Sequence, residues 1–452
     1  MAIDSSIYTH PQDEAALKAL QAIPGFTQVL KAFMKVWTEK QAKIEHMSSN
    51  IRLGETQLKK YYDMLPPICE KLGIAVPELY LAQDGDVNAW TAGDTNPYIV
   101  ITTGLLKAIP EELIPTVLAH ECGHIACHHN LYTTMGTMIL NGALEVLNIY
   151  GIGSLVSLPL KVAFFYWMRC SEYSADRAAI ICDGSAEKLA RMCMYFAGYD
   201  QGVFGEPDMD VFMEQAVEYK AMIESSTYNK TLEFIMFADR THPLCAVRAY
   251  EAREWANGPV FPKILRYIGN DVAATDPAST FEIPMPAPSS HYIGKDCNEV
   301  IDTLRGLGFT NIVVTRSMTH TAPMQIDGVI AVSINQGLTF AKGDWFPVDA
   351  SVVITYYRPP TEEEIAAAHP GEIKTPDASR CYVGKNYQFV AQAFAAAGFT
   401  NIMLEEYKIQ RSWLATENNV TRISIAGQTQ FDKGSWYKPD AEVRISYQTF
   451  IS

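Results

Sequence analysis

His120-Glu121-Cys122-Gly123-His124 places two histidines four residues apart inside a run with helical spacing. Residues four apart lie one above the other on a single helical face, so both imidazoles can reach one point in space. Such a pair can grip one zinc ion, and Glu121 projects to the side, where a water polarised by that ion would sit. A carboxylate there can take the proton as the water attacks a carbonyl. With 10 histidines in 452 residues, chance produces this pattern in about one such chain per hundred. The other reading is two satisfied histidines on a buried helix, and the flanking sequence has to decide.

Pro97-Tyr98-Ile99-Val100-Ile101-Thr102-Thr103 is a β-rich run that opens on Asn96-Pro97 and ends at Gly104. Pro110-Glu111-Glu112 then offers a helix start, with proline first and acids in the first turn. Pro115 would break a helix interior, so the metal helix either starts there or kinks there. The helix is expected to end near His128-His129-Asn130. That histidine pair reads as an exposed end favoured by the helix dipole, not as further ligands.

Two histidines need a third ligand. The HExxHxxGxxH arrangement fails, because Cys127 stands where its glycine belongs and Asn130 where its third histidine belongs. A glutamate from a second helix is the other common route. The small-residue-rich run Arg169 to Ala179 carries Glu172 and Asp176 one turn apart on one face. Glu172 could ligate the metal while Asp176 orients His120 or His124. Alone, this spacing is more often an acidic pair on a solvated face; beside HExxH the ligand reading prevails.

These residues, with Asn88-Ala89-Trp90 before them and Asp239-Arg240-Thr241-His242-Pro243 and Arg248 after, resemble the HtpX / CAAX-prenyl-protease family of gluzincin metallopeptidases over residues 10 to 256. The resemblance implies zinc ligands His120, His124 and Glu172, Glu121 as general base, and one Zn²⁺ per chain. It places His242 where the family has a residue that helps stabilise the tetrahedral oxyanion. Asn88, Ala89 and Trp90 resemble the family's strand beside the cleft, where a substrate could pair as an added strand.

Family members are membrane-embedded or soluble, so the apolar stretch from Leu131 to Trp167 matters. Its longest uncharged pieces, Leu131 to Leu144 and Val146 to Leu160, fall short of the ~18–20 residues that cross a bilayer. Gly151, Gly153, Ser154 and Pro159 suggest a broken helical hairpin, a lid over the catalytic helix. The opening Met1 to Ser6 lacks the basic start and apolar core of a signal peptide, so a cytoplasmic protein is expected. Net charge of −15 argues against nucleic acid or an anionic membrane surface as partner. Nine cysteines without a CxxC pair suit buried reduced thiols better than a disulfide framework.

Val29, Leu30, Phe33, Met34 and Trp37 form an apolar stripe in a helical region split at Pro24-Gly25, and Glu78 to Ala82 reads as a strand. Past residue 270 the chain changes character and repeats itself. Gly308-Phe309-Thr310-Asn311-Ile312 returns unchanged as Gly398-Phe399-Thr400-Asn401-Ile402, and Lys342-Gly343-Asp344-Trp345 returns as Lys433-Gly434-Ser435-Trp436. Each copy reads as a helix followed by strands. The Gly-Lys start, the helix and the Gly-Phe turn resemble PASTA modules, which elsewhere bind cell-wall muropeptides. They lack the proline that usually precedes the Gly-Lys turn.

The expected fold is α+β: a mostly helical zincin-type metallopeptidase domain with a small sheet, then two small helix-on-antiparallel-sheet repeat modules. The expected division is residues 1–270 for the peptidase, 271–290 for a linker, 291–357 for the first repeat, 358–379 for a second linker and 380–452 for the second repeat. The implied activity is zinc-dependent endopeptidase cleavage of protein or peptide substrates. Two rivals stand beside it: a membrane-associated quality-control protease, and an inactive relative that binds peptides or muropeptides. The ligand of the repeats is open, and they could equally recruit substrate or act as spacers.

Overall fold

The computed structural model of the chain describes residues 2–36, 39–140, 158–205, 208–227, 229, 244–269, 281–320, 323–411 and 415–451. Two compact units emerge: Met1–Thr315 with Asp327–Tyr356, and Arg316–Ile326 with Tyr357–Ser452.

The first unit begins with three helices, α1 (Pro11–Gln21), α2 (Phe26–Val36) and α3 (Glu39–Ser49). Proline opens α1, where its missing N–H costs nothing. Val29 and Phe33 of the expected stripe are buried, but Met34 is 54% exposed, and Trp37 lies outside the described residues.

Strand β1 (Ile51–Leu53) and the helices α4 (Lys59–Tyr62) and α5 (Leu65–Leu72) lead to β2 (Glu78–Ala82), β3 (Ala89–Ala92) and β4 (Tyr98–Thr102). The sheet order is β1-β2-β4-β3, with β2 parallel to β4 and β3 antiparallel to it. All five residues of β4 are buried, which explains its continuous apolar run. Among the described residues β3 is therefore an edge strand.

After α6 (Thr103–Ala108), Pro110-Glu111-Glu112 forms only a 3₁₀ turn at Glu111–Leu113. The metal helix α7 (Ile114–Ala126) starts afresh, with Pro115 in its first turn and no kink. Then come α8 (Asn130–Leu140) and the 26-residue α9 (Leu158–Asp183). The expected lid hairpin falls partly on 141–157, outside the described residues. Among the described residues, no helix is long and apolar enough to cross a membrane. Helices α10 (Glu187–Phe196), α11 (Gln201–Phe204), α12 (Met209–Glu224), α13 (Cys245–Ala256) and α14 (Val260–Gly269) complete the peptidase part.

In the first repeat, β5 (Glu282–Pro284) precedes α15 (Cys297–Leu307), β6 (Ile312–Ser317), β7 (Val329–Ile334), β8 (Trp345–Pro347) and β9 (Val352–Tyr357). Asp296 caps α15 by accepting from the backbone N–H groups of Asn298 and Glu299. In the second unit, α16 (Glu362–Ala367), β10 (Ile373–Lys374), α17 (Tyr387–Ala396), β11 (Ile402–Ile409), β12 (Val420–Ile425), β13 (Trp436–Tyr437) and β14 (Val443–Phe450) build the second repeat. Its sheet is mixed, not antiparallel as expected: β11 runs parallel to β14, and β12 antiparallel. Alternation in a sequence reveals which face a residue occupies, not which way the neighbouring strand runs.

Segments read as linkers contribute to these folds. Within 271–290, β5 pairs with β8; within 358–379, β10 pairs with β13 and α16 carries a Thr361/Glu364 capping box. Their prolines suggested unstructured chain, yet Pro284 sits in a two-stranded ribbon where a missing donor is tolerated.

The first repeat packs directly on the peptidase helices. Tyr267 of α14 stacks on Phe281 at 5.8 Å and meets Trp345 edge-on at 6.3 Å. Lys263 pairs with Glu282 at 2.8 Å, Ser6 Oγ donates to the Pro286 carbonyl at 3.2 Å, and Lys342 pairs with Glu14 of α1. Trp345 is thus a packed residue. Trp436, in the second unit, stacks on His369 at 4.7 Å. A chain ending at residue 274 would expose the Tyr267 face, and we expect it to lose about 2 kcal/mol, or roughly 4–8 °C in melting temperature. Thermal unfolding beside the full chain checks this; an unchanged melting temperature for the peptidase transition would show that the repeat adds nothing to that core.

Candidate active site

The site lies where α7 crosses α9. A Cβ at Gly123 would sit 2.7 Å from the Ala178 Cβ and 2.9 Å from the Ala175 Cα. Glycine on one helix and alanines on the other therefore let the two backbones approach closely. That approach brings Glu172 on α9 level with His120 and His124 on α7, all three buried.

His120 Nε2 lies 3.4 Å from Glu172 Oε2, and His124 Nε2 lies 3.4 Å from Glu172 Oε1. One donor atom from each of the three residues falls within 4.8 Å of the others. Two ligands held about 2.1 Å from a tetrahedral zinc are about 3.4 Å apart, so the donor set fits that ion. Charge argues the same way. Glu121, Glu172 and Asp176 are all buried, and the Arg248 guanidinium contacts Asp176 and Glu172. A divalent cation beside ionised carboxylates is electrostatically favoured.

Asp176 Oδ1 is 3.0 Å from His120 Nδ1, so an N–H there directs the bare Nε2 at the metal position. Arg248 donates to both Asp176 oxygens, at 2.8 and 2.6 Å, and its Nη1 is 3.1 Å from Glu172 Oε2. Burial opposes ionisation of Asp176, but Arg248 and His120 outweigh it and hold the carboxyl below its ordinary value. At His120 burial likewise disfavours the charged ring, yet bonds to Asp176 and Glu172 carry its pKa up to about 9. His124 goes the other way, lowered to about 4 chiefly by burial. The two rings differ because only His120 faces two carboxylates.

Glu121 is buried and lines a cleft of about 780 Å³. Asn88, Ala89 and Trp90 line the same cleft, as do Met138, Phe165 and Met168, so one wall is an edge strand and another is apolar. His242 lies outside the described residues. All nine cysteines are free thiols.

One expectation needs correcting. Of the pair at the end of α7, His128 is exposed with a positive φ of 58°, but His129 is 2% exposed. The left-handed turn at His128 swings His129 inward, where its Nδ1 lies 2.9 Å from His124 Nδ1 and its Nε2 2.9 Å from Asp13 Oδ2. Asn130 is buried too, and its amide donates to Thr91 Oγ1 and the Gly93 carbonyl, tying α8 to the edge strand. Helical spacing could not reveal these roles, since they begin where the helix stops. Asp13 is remote in sequence and bore no signal at all.

Comparison with known proteins agrees with this geometry. A model of Peptidase family M48 matches residues 63–256. That segment is an M48 peptidase domain, related to the HtpX and CAAX-protease gluzincins, and the chain is a metalloprotease hydrolase. The plastoglobule-localized metallopeptidase 48 of Arabidopsis thaliana chloroplasts is 28% identical over 266 residues, covering 58% of this chain and 76% of the relative. An HtpX homologue of Campylobacter concisus is 26% identical over 227 residues, covering 44% of this chain and 76% of its own. The crystal structure of S. mikatae Ste24p is matched over 52% of this chain and 64% of that one, at 17% identity and a TM-score of 0.25. This chain thus spans just under two thirds of that structure.

The cytoplasmic expectation is overturned. The Arabidopsis relative is, by its name, localized to plastoglobules of the chloroplast. The missing signal pattern and the short apolar runs of the sequence do not carry information about an organelle.

The helix crossing has a direct test. Gly123→Ala must push α7 and α9 apart, at a cost of about 1–3 kcal/mol, and should reduce zinc retention because Glu172 moves away. Denaturant unfolding and zinc content measure both; wild-type values for each would contradict the close-approach account.

Proposed function

We propose that the chain is a zinc-dependent endopeptidase cleaving internal peptide bonds of protein substrates, with His120, His124 and Glu172 holding the ion and Glu121 as general base. The observation that carries the reading is the buried triad of donors at zinc-like separations beside a carboxylate that faces the cleft. Bound zinc would polarise the scissile carbonyl and lower the pKa of its water to roughly 7.

The remaining work falls to the chain's own groups. Asp176 and Arg248 hold His120 and Glu172 in place. Glu121 takes a proton from the attacking water and passes it to the leaving amine. Among the described residues β3 is the outer strand of its sheet along the cleft, where an extended peptide can add as a further strand at Asn88, Ala89 and Trp90. An extended substrate suits an endopeptidase, and the Met138, Phe165 and Met168 wall suits apolar side chains. His242 completes the proposal as a group assisting the oxyanion, on its sequence motif alone.

We further propose the domain division 1–270, 291–357 and 380–452, with β5 and β10 belonging to the repeats they precede. The repeats are read as PASTA-like modules on their duplicated sequence.

Hydrolysis of an unfolded protein such as casein tests the reading. Glu121→Gln should keep zinc and lose at least ~10²-fold in turnover. Glu172→Ala should lose zinc itself. A fully active Glu121→Gln, or full zinc retention by Glu172→Ala, would refute the respective assignment.

A further inference from the structure

Beyond the three ligands, a second polar chain runs away from His124 into the protein. His124 Nδ1 and His129 Nδ1 face each other at 2.9 Å, so one carries the hydrogen and the other the lone pair. His129 Nε2 lies 2.9 Å from Asp13 Oδ2. The same oxygen accepts from Ser174 Oγ at 2.6 Å, and Asp13 Oδ1 accepts from Trp167 Nε1 at 3.0 Å. Asp13, His129, Trp167 and Ser174 are all at most 2% exposed. These donors and the neighbouring His129 hold the Asp13 carboxyl below its ordinary value against its burial.

The proton positions follow from Asp13. An ionised carboxylate only accepts, so it draws the hydrogen of neutral His129 to Nε2. His129 Nδ1 then presents a lone pair, and His124 Nδ1–H donates to it. That leaves His124 Nε2 bare, and this is the atom 3.4 Å from Glu172 Oε1. Well-packed apolar side chains in this space would serve stability as well as a buried polar trio does. What the trio adds is direction.

We propose that Asp13 is a positioning residue for the metal centre: acting through His129, it fixes the tautomer and ring orientation of His124 and so sets zinc affinity. The proposal rests on the metal-site reading above. It extends the site to α1, which precedes the matched M48 region at residues 63–256. The two ligand histidines are then held alike, His120 by Asp176 directly and His124 by Asp13 through one intervening ring. The segment before the matched region becomes part of the metal centre, not an accessory.

Zinc affinity of the full chain, measured by competition with a chromogenic chelator, tests this apart from activity. Asp13→Asn and His129→Phe should each weaken zinc binding by about 10–100-fold. The double variant should lose no more than His129→Phe alone, because the two act in series. Trp167→Phe removes the hydrogen bond to Oδ1 while keeping an aromatic ring on the side where Trp167 meets His129 edge-on, and should lower the melting temperature while leaving zinc affinity within about twofold of wild type. Should Asp13→Asn fail to fold, the comparison of His129→Phe with Trp167→Phe decides. Wild-type affinity in a folded Asp13→Asn or His129→Phe chain, or losses that add in the double variant, would overturn the relay. Failure of the metal site itself has a different signature, zinc binding that survives Glu172→Ala.

Discussion

Everything in the catalytic unit depends on how closely α7 and α9 approach at Gly123, Ala175 and Ala178. Two helices with larger side chains at the crossing would stand farther apart, and a glutamate on one could not share an ion with histidines on the other. The small residues do no chemistry. They set the separation that turns HExxH on one helix and a glutamate on another into a single site, and they place Asp176, one turn further along α9, against the back of His120.

That crossing also buries a dense set of charges. Glu121, Glu172, Asp176 and Arg248 lie out of water together, and each would be costly there alone. Bidentate pairing of Arg248 with Asp176 lowers the cost, and Arg248 touches Glu172 as well. These groups lie beside the place where the nitrogens of His120 and His124 and the carboxylate of Glu172 converge. The donor set His120, His124 and Glu172 could hold a metal ion there. Behind it, Asp13 and His129 hold His124 from the opposite side, so α1, α7, α9 and α13 all contribute to one centre.

Much of this was legible in the sequence, because it follows from periodicity. HExxH, the Glu172–Asp176 turn and the β-rich run of β4 announce themselves through spacings of four and through continuous runs. What was missed depends on turns and long-range contacts. His129 was assigned to the surface because a histidine pair at a helix end usually is exposed, but the left-handed residue His128 redirects it. Asp13 lies more than a hundred residues from its partner, and no local pattern connects them. Strand direction in the second repeat was equally hidden, as alternation is the same for parallel and antiparallel neighbours. The segments around β5 and β10 looked like linkers because proline and small residues mark loops and ribbon edges alike.

The central claim is that one zinc ion is held by two imidazoles and a carboxylate at the crossing of α7 and α9. X-ray absorption at the zinc edge of the purified, zinc-loaded chain tests it most directly. The account predicts one zinc per chain with only nitrogen and oxygen neighbours, at about 2.0–2.2 Å. A sulfur neighbour at about 2.3 Å would bring a cysteine into the shell and contradict the assignment of His120, His124 and Glu172.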